Sequence, residues 1–496
     1  MICSRFRLLL FAFIAIGLSA PWLAKAQEDQ HVVSDATADV KAFGATGDGT
    51  TDDTDAIQRA VDSGRGRIVF PKGVYRVTRP VEAVLDRIGY LSIEGNGVAR
   101  IEMASAGPAL RIIGTHQASA DPGNFAANVW DNQRMPLIDA IAIVGKHDEA
   151  VGIEADGTMQ ITLTRLHLRS LLHGIRLIKN NRNVAIADCH IYHNRGIGIF
   201  YDNVNLHQSN ITGCHISYCG GGGIVSIAGN VRNIHIAGCD IESNMSVDTP
   251  PTANVLIDCR GSQYGTAEVA ITGCTIQHNN PAPDSANIRI VGNSDPTAKL
   301  PEIREGNVTI AGNVLSDVQV NLHLKECRGV SITGNTLWQG YKHNILFESC
   351  SSIVMGANNL DRNPRYDYGN TASANNSVVV RDCDDCTISG LHVTNVWRDP
   401  AAVTLEDCRR INLSDCTILD CDNIGLLLKN VVNSRISGCI IRDDRKKISS
   451  DAEEPKVTKT ISVEGGAGLL ISNNFLDGPI ESTSDAVIEV ANTIRK

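Results

Sequence analysis

The chain repeats one short pattern of hydrophobic and polar positions. The pattern is Ile/Val-x-Ile-x-Gly/Asp-Cys/Asn-x-Ile/Leu, as in the segment from Ile186 to Ile191. Aliphatic residues alternate with polar ones, and this period of two is typical of a β-strand with one buried face. The Cys/Asn position of the pattern is occupied by Cys189, Cys214, Cys239, Cys274, Asn313, Asn335, Asn358, Cys416, Cys439 and Asn474.

The copies recur about every 23–25 residues, with longer intervals where loops are inserted, and this period predicts a solenoid. A second short strand follows a turn in each repeat, as at Gly198 to Phe200. No helical period lies between the strands, so the coils are expected to stack in parallel about 4.8 Å apart. The predicted fold is all-β, a right-handed single-stranded parallel β-helix with an N-terminal capping helix. Loops rich in Pro, Asn, Asp and Ser are predicted at 115–137, 280–306 and 362–377, and a charged, mobile segment at 443–458.

The N-terminus predicts a targeting segment. Arg5 and Arg7 precede an apolar run, and Ala24-Lys25-Ala26 resembles a cleavage site, so residues 1–26 are predicted to be a signal peptide. We expect a flexible segment at 27–38, a cap with the first coils at 39–90 and the β-helix at 91–496. No second apolar run of 18 residues occurs, which predicts a secreted or periplasmic protein without a membrane span.

Residues 39–77 read as a strand, a Gly/Asp turn, a helix and a strand pair. Within the helix, Ala56, Ile57, Ala60 and Val61 form one apolar stripe. A solenoid needs a cover over its first coil, because that coil has no preceding neighbour. This helix is therefore predicted to be the cap.

The same segment resembles the N-terminal signature of the pectate-lyase-like superfamily, which includes polygalacturonase-like enzymes and phage tailspike depolymerases. The resemblance lies in Phe43-Gly44-Ala45-x-Gly47-Asp48-Gly49, in Asp52-Asp53-Thr54-x-Ala56-Ile57-Gln58 and in Phe70-Pro71-x-Gly73-x-Tyr75. It implies a right-handed parallel β-helix that acts on polysaccharide. The Asn-Thr-Asp, Gly-His-Gly and Arg-Ile-Lys motifs of the polygalacturonase-like branch do not occur here, so the resemblance implies no catalytic residues.

The net charge bears on the kind of partner, and the positions of the cysteines bear on whether disulfides form. A formal net charge of −10 argues against a nucleic-acid partner. Most of the fifteen cysteines recur at two repeat positions, which predicts inward ladders of free, buried thiols in place of disulfides. Cys383 and Cys386 form a lone CxxC pair, and the sequence indicates no metal-ligand set.

Polar residues that follow the repeat's Cys or Asn are expected to line up outward as one row. The candidate catalytic residues in this row are His190, His193, Arg195, His215, Tyr218, Asp240 and Glu242. The preceding coil contributes the candidate substrate-binding residues Arg169 and His173. Further along the chain, aromatic and basic residues suited to sugar stacking and anionic groups are Trp338, Tyr341, Lys342, Arg362 and Trp397.

Two chemistries fit the row. A lyase would neutralise a uronate carboxylate with Arg169 or Arg195 and remove a proton with His193 or Tyr218. A hydrolase would use two acids, drawn from Asp202, Asp240, Glu242 and Asp258. The leading hypothesis is an exported protein that binds and cleaves a polysaccharide, and the alternative is a non-catalytic carbohydrate-binding or surface protein. No cofactor is assigned, although a lyase could use Ca²⁺, and both a monomer and a trimer fit the sequence.

Overall fold

The protein is described by a computed structural model, which covers residues 36–117, 119, 121–249, 252–293, 305–366, 371–445, 457–484 and 487–495. The predicted signal peptide and most of the predicted segments 27–38 and 443–458 lie outside the described residues. Residues 37–496 form one compact unit, and the description below concerns that unit.

The strands form a parallel β-helix with three faces, in which each strand pairs with the equivalent strand of the coils before and after it. Face A comprises Asp48–Asp52, Gly73–Val77, Ala99–Met103, Ala142–Gly145, His167–Arg169, His190–Tyr192, His215–Ser217, Asp240–Glu242, Thr275–Gln277, the first parts of Val314–Lys325 and Thr336–Glu348, Asn359–Leu360, His392–Thr394, Thr417–Leu419, Ile440–Arg442, Phe475–Leu476 and Thr493–Ile494.

Face B contains the second part of each of the two long strands named above. Its other strands are Val81–Val84, Gly107–Ile113, Ala150–Met159, the first parts of His173–Ala187 and Ile197–Thr212, Gly222–Ile227, Ala253–Asp258, Ala286–Val291, Ser377–Arg381, Ala401–Glu406, Asn423–Lys429, Val457–Glu464 and Ile480–Ser482.

Face C closes each coil. It comprises Thr37–Asp39, Arg67–Val69, Ser92–Glu94, Leu137–Asp139, Thr162–Thr164, the second parts of His173–Ala187 and Ile197–Thr212, Asn230–Ala237, Thr266–Thr272, Glu305–Ala311, Cys327–Thr333, Ser351–Met355, Thr387–Ser389, Asn412–Ser414, Val432–Ser437, Ala467–Ser472 and Val487–Val490.

Few helices accompany the coils. The α-helices are Thr54–Asp62, Leu85–Ile88 and Ala127–Asn132, and the 3-10 turns are Val40–Phe43, Pro122–Asn124, Pro364–Tyr366 and Thr371–Ser373. The predicted stripe of the first helix is buried in the common core and contacts the first strands. Its role as a cap stays a prediction. The Asp53 carboxylate, from the signature, accepts the backbone N–H groups of Thr46 and Gly47 at 2.6 and 3.0 Å, so it holds the preceding turn.

The core consists of stacked aliphatic rows and cysteines. On face A, Ile191, Ile216 and Ile241 occupy equivalent inward positions in successive coils and are fully buried. All fourteen cysteines in the described part of the chain are free and buried, which confirms the predicted ladders. Cys383 and Cys386 are among them and pack in the hydrophobic core. Corners between faces are formed by residues with positive φ, such as His193 and Tyr218.

Candidate functional site

The outward side of face A carries the polar row that the sequence predicted. Strand pairing aligns His167, His190, His215 and Asp240 in successive coils. A second outward row lies two residues further along each strand, because side chains alternate between the two sides of a sheet. That row contains Arg169, Tyr192, Ser217, Glu242, Gln277, Ser316 and Trp338.

A histidine and a tyrosine from adjacent coils form a close pair in these rows. His167 Nε2 lies 2.6 Å from the Tyr192 hydroxyl, and the ring centroids are 5.0 Å apart. Burial, together with the charges of Arg169 and His190, lowers the pKa of His167 below its usual 6.5. The imidazole is therefore neutral at pH 7, and its Nε2 can accept a proton from the Tyr192 hydroxyl.

Arg169 stands on the same strand as His167 and is in register with Tyr192. Within the part of the chain that the structure describes, no carboxylate or carbonyl pairs with its guanidinium. This differs from Arg176 on face B, which contacts both Glu154 and Asp202 at 3.1 and 2.5 Å. Arg169 is thus available to an external anion beside the His167–Tyr192 pair.

His193 and Tyr218 follow the strands at two successive corners. Their rings are stacked, with centroids 4.9 Å apart and an interplanar angle of 11°, and Tyr192 packs edge-on against His193 at 5.3 Å. Tyr218 is 48% exposed. The two residues make an aromatic surface at the edge of face A that can stack against a sugar ring.

Imidazoles and carboxylates alternate in the next coils. The rings of His190 and His215 are 5.9 Å apart, and His215 Nε2 lies 3.7 Å from Asp240 Oδ2. His278 Nε2 lies 3.8 Å from Glu242 Oε1. His215, Asp240 and Glu242 each offer an atom within 4.8 Å of the other two.

His278 also contacts a buried carboxylate through its second ring nitrogen. Its Nδ1 lies 3.5 Å from Asp317 Oδ2, and the Ser316 hydroxyl donates to the same carboxylate at 2.8 Å. The Asp317 side chain is only 8% exposed, and burial raises its pKa. A carboxylate in this position fixes the orientation of the imidazole.

Arg195 and His173, two of the site residues predicted from the sequence, lie apart from the outward rows of face A. The Arg195 guanidinium donates to the backbone carbonyls of His147 and Asp148, the second at 3.1 Å, so it braces a neighbouring loop. His173 begins a face B strand, and its Nδ1 accepts the Ile197 N–H at 3.1 Å. Burial lowers the pKa of His173 to about 4, so its imidazole is neutral at pH 7 and can accept this hydrogen bond.

Among the candidate substrate-binding residues further along the chain, some lie on face A and others contact neighbouring side chains. Trp338 lies on the outward row of face A, with its ring 5.4 Å from that of Tyr366. Tyr341 is partly exposed, and Lys342 forms an ion pair with Asp284. Arg362 is buried, with its guanidinium carbon 3.6 Å from the centre of the Trp397 ring.

Four residues of these contacts were not selected from the sequence: His167, Tyr192, His278 and Asp317. Register would have selected His278 and Asp317, because they directly follow the paired residues Gln277 and Ser316. His167 and Tyr192 stand at different positions within their strands, so only the lean of their side chains across adjacent coils brings them together.

Comparisons with known proteins agree with this architecture. A family model described as "Rhamnogalacturonase A/epimerase, pectate lyase-like" matches residues 37–243, and one described as "Periplasmic copper-binding protein (NosD)" matches 264–437. "Alginate lyase 7" of Azotobacter vinelandii is 56% identical over 48 residues, which are 9% of this chain and 6% of that protein.

One solved structure shows the same fold at low identity. The bacteriophage phi29 gene product 12 has a TM-score of 0.54 and 13% identity over 92% of this chain and 66% of that one. Tailspike protein 3 of bacteriophage CBA120 has a TM-score of 0.47 and 16% identity, over 92% of this chain and 62% of that one. The chain therefore spans less than two thirds of this tailspike protein.

Proposed function

Because the chain belongs to the pectate-lyase-like superfamily of parallel β-helix proteins, we propose that it binds and cleaves a uronate-containing polysaccharide by β-elimination on face A. The observation that carries this proposal is the His167–Tyr192 pair at 2.6 Å beside Arg169, whose guanidinium meets no anionic side chain among the described residues. A lyase needs a cation for the uronate carboxylate and a group that moves a proton, and these three residues supply both.

The reaction balances without a further reactant. Arg169 binds the uronate carboxylate and stabilises the negative charge that develops when the C5 proton leaves. The Tyr192 oxygen takes the C5 proton as its own hydroxyl proton moves to His167 Nε2. The C4=C5 double bond forms, the C4–O4 bond breaks, and the pair returns a proton to O4 of the departing chain.

The surroundings support a bound glycan. The His193–Tyr218 stack offers an aromatic surface next to the pair, and Trp338 with Tyr366 offers another further along the same row. Among the described residues, no helix has the length and apolar character needed to cross a lipid bilayer. From the signal peptide predicted at residues 1–26, we propose that the protein acts on its glycan outside the cytoplasm, in the periplasm or after secretion.

The test is to incubate the protein with polygalacturonate, rhamnogalacturonan, alginate and, as a neutral polymer, dextran. We expect ultraviolet absorbance from unsaturated uronate ends on at least one acidic polymer and none on dextran. Tyr192→Phe should lower this activity by roughly 10²–10⁴-fold, as expected for loss of a positioned proton-transfer group. Tyr264→Phe is the matched control, since Tyr264 is 65% exposed and lies outside face A.

Hydrolysis is the second candidate, and the pair Asp240 and Glu242 favours it. Oxygen atoms of the two carboxylates come within 4.8 Å of each other, near the separation of about 5–5.5 Å in retaining glycosidases. New reducing ends without ultraviolet absorbance, lost in Glu242→Gln but kept in Tyr192→Phe, would establish hydrolysis and reject the lyase. Binding of a polymer without any cleavage would favour the non-catalytic alternative.

A further inference from the structure

Three side chains of face A, one imidazole and two carboxylates, converge on its outward side. His215 and Asp240 are in register on adjacent strands, and Glu242 projects from the same side of the strand as Asp240. Their nearest ligand atoms all lie within 4.8 Å of one another. These residues belong to the strands His215–Ser217 and Asp240–Glu242, so the backbone fixes their spacing.

The charge around Asp240 and Glu242 differs from that of acids elsewhere on the molecule. Glu406 contacts both Arg381 and Lys429 at 2.9 and 2.6 Å, and Glu94 contacts Arg67 at 2.8 Å. Asp240 and Glu242 meet only imidazoles in the part of the chain that the structure describes. Two carboxylates held this close without a cation repel each other, and a divalent ion between them would remove that repulsion.

A fourth group approaches from the following coil. His278 Nε2 lies 3.8 Å from Glu242 Oε1, and its other ring nitrogen faces the buried Asp317 carboxylate at 3.5 Å. Metal-binding histidines usually carry such a carboxylate on the nitrogen that does not bind the ion, because it fixes the ring and raises its basicity. The cluster therefore has a ligand set and one supporting carboxylate.

We propose that His215, Asp240 and Glu242, joined by His278, bind one first-row transition-metal ion such as Zn²⁺. The separation of 3.7 Å between His215 and Asp240 is close to the edge of a tetrahedral site with bonds of about 2.1 Å, which is about 3.4 Å. Mixed imidazole and carboxylate ligands suit such ions, whereas Ca²⁺ prefers six to eight oxygen ligands. This inference departs from the sequence, which indicated no metal-ligand set, and it does not depend on the proposed lyase chemistry.

The test is calorimetric titration of the metal-stripped protein, without a polyhistidine tag, with zinc chloride and separately with calcium chloride. We expect one Zn²⁺ per chain, weakened at least tenfold by His215→Ala, by Asp240→Asn and by Glu242→Gln. Zinc should also raise the melting temperature of the wild type more than that of these variants, because an ion bound only by the folded state stabilises it. Melting of each variant in metal-free buffer shows that it still folds.

His392→Ala is the matched control. His392 projects from the same row of face A, but its neighbours in register are Asn359 and Thr417 in place of acids. Zinc binding should be unchanged in this variant. The proposal is overturned by an absence of zinc binding, by wild-type affinity in the variants of the cluster, or by an equal loss in His392→Ala. Comparable affinity for Ca²⁺ would overturn the assigned class of ion.

Discussion

The imidazole of His167 is held in its neutral form by its surroundings. Burial is the main cause of its lowered pKa, and the neighbouring charges of Arg169 and His190 add to it. A neutral imidazole can accept a proton, whereas a protonated one can only donate. The pH range of the proposed lyase should therefore report on this one side chain.

We expect the acid limb of kcat/KM to have its midpoint below pH 6.5. The acceptor form of His167 exists above its pKa, and that pKa lies below the ordinary value of 6.5. Activity should be level around pH 7 and fall as the pH drops through the lowered pKa. Initial rates at low substrate concentration from pH 4 to pH 8 measure this midpoint, and a value at or above 6.5 would contradict the assigned acceptor.

His173 should make the stability of the fold depend on pH. Its pKa is about 4 in the folded protein and 6.5 as the reference value, so the unfolded chain binds the proton more tightly. The stabilisation is present above pH 6.5 and is lost as the pH falls towards 4, by about 3 kcal/mol in all. His173→Asn retains an acceptor for the Ile197 N–H without titrating.

Chemical unfolding at pH 7 and pH 4.5 checks this effect. The decline in unfolding free energy between the two values should be smaller in His173→Asn than in the wild type. Equal declines in the two proteins would show that other groups account for the pH dependence.

Stacked coils also align buried amides into a ladder. Asn254 donates to Asn287 at 2.8 Å, Asn287 to Asn321 at 2.7 Å and Asn321 to Asn344 at 2.7 Å. All four side chains are fully buried at the corner between faces A and B. Each amide donates a hydrogen bond to the next, so the ladder fixes the register of these coils.

Asn321→Ala should lower the unfolding free energy by about 2–4 kcal/mol, because it leaves a buried N–H of Asn287 without its acceptor and removes one of the two donors to Asn344 Oδ1. Asn359→Ala is the control, since Asn359 is exposed on face A. Denaturant unfolding of both variants measures the difference. Similar small losses in the two would contradict a stabilising ladder.

The strands show which features a sequence can predict in this fold. The parallel β-helix, the inward isoleucine rows and the buried thiols all follow from positions that repeat with the coil, such as Cys189, Cys214 and Cys239. The contact between His167 and Tyr192 depends instead on side-chain direction across adjacent strands. Arg195 was expected to face the substrate, but it turns to the carbonyls of His147 and Asp148 in a loop that the repeat does not specify.

Because the coils stack in parallel, residues at one repeat position form a continuous row along face A. Arg169 and Trp338 occupy the same outward row and are six strand pairings apart. At about 4.8 Å for each pairing, the row separates them by roughly 29 Å. A polymer chain can contact both ends of this row at once, whereas a short oligosaccharide bound at Arg169 cannot reach Trp338.

Trp338→Ala should therefore raise KM for a long polymer several-fold and leave kcat unchanged. Loss of an aromatic stacking contact of about 0.5–1.5 kcal/mol accounts for a change of this size. KM for an oligosaccharide too short to span the row should not change, because its contacts end before Trp338. Trp130→Ala is the matched control, as Trp130 is 42% exposed on the helix Ala127–Asn132, outside face A. Steady-state kinetics on a size-fractionated series of one substrate test the prediction. An equal rise in KM for short and long substrates would contradict it. That outcome would show that Trp338 acts on the fold and does not bind the distant part of the polysaccharide.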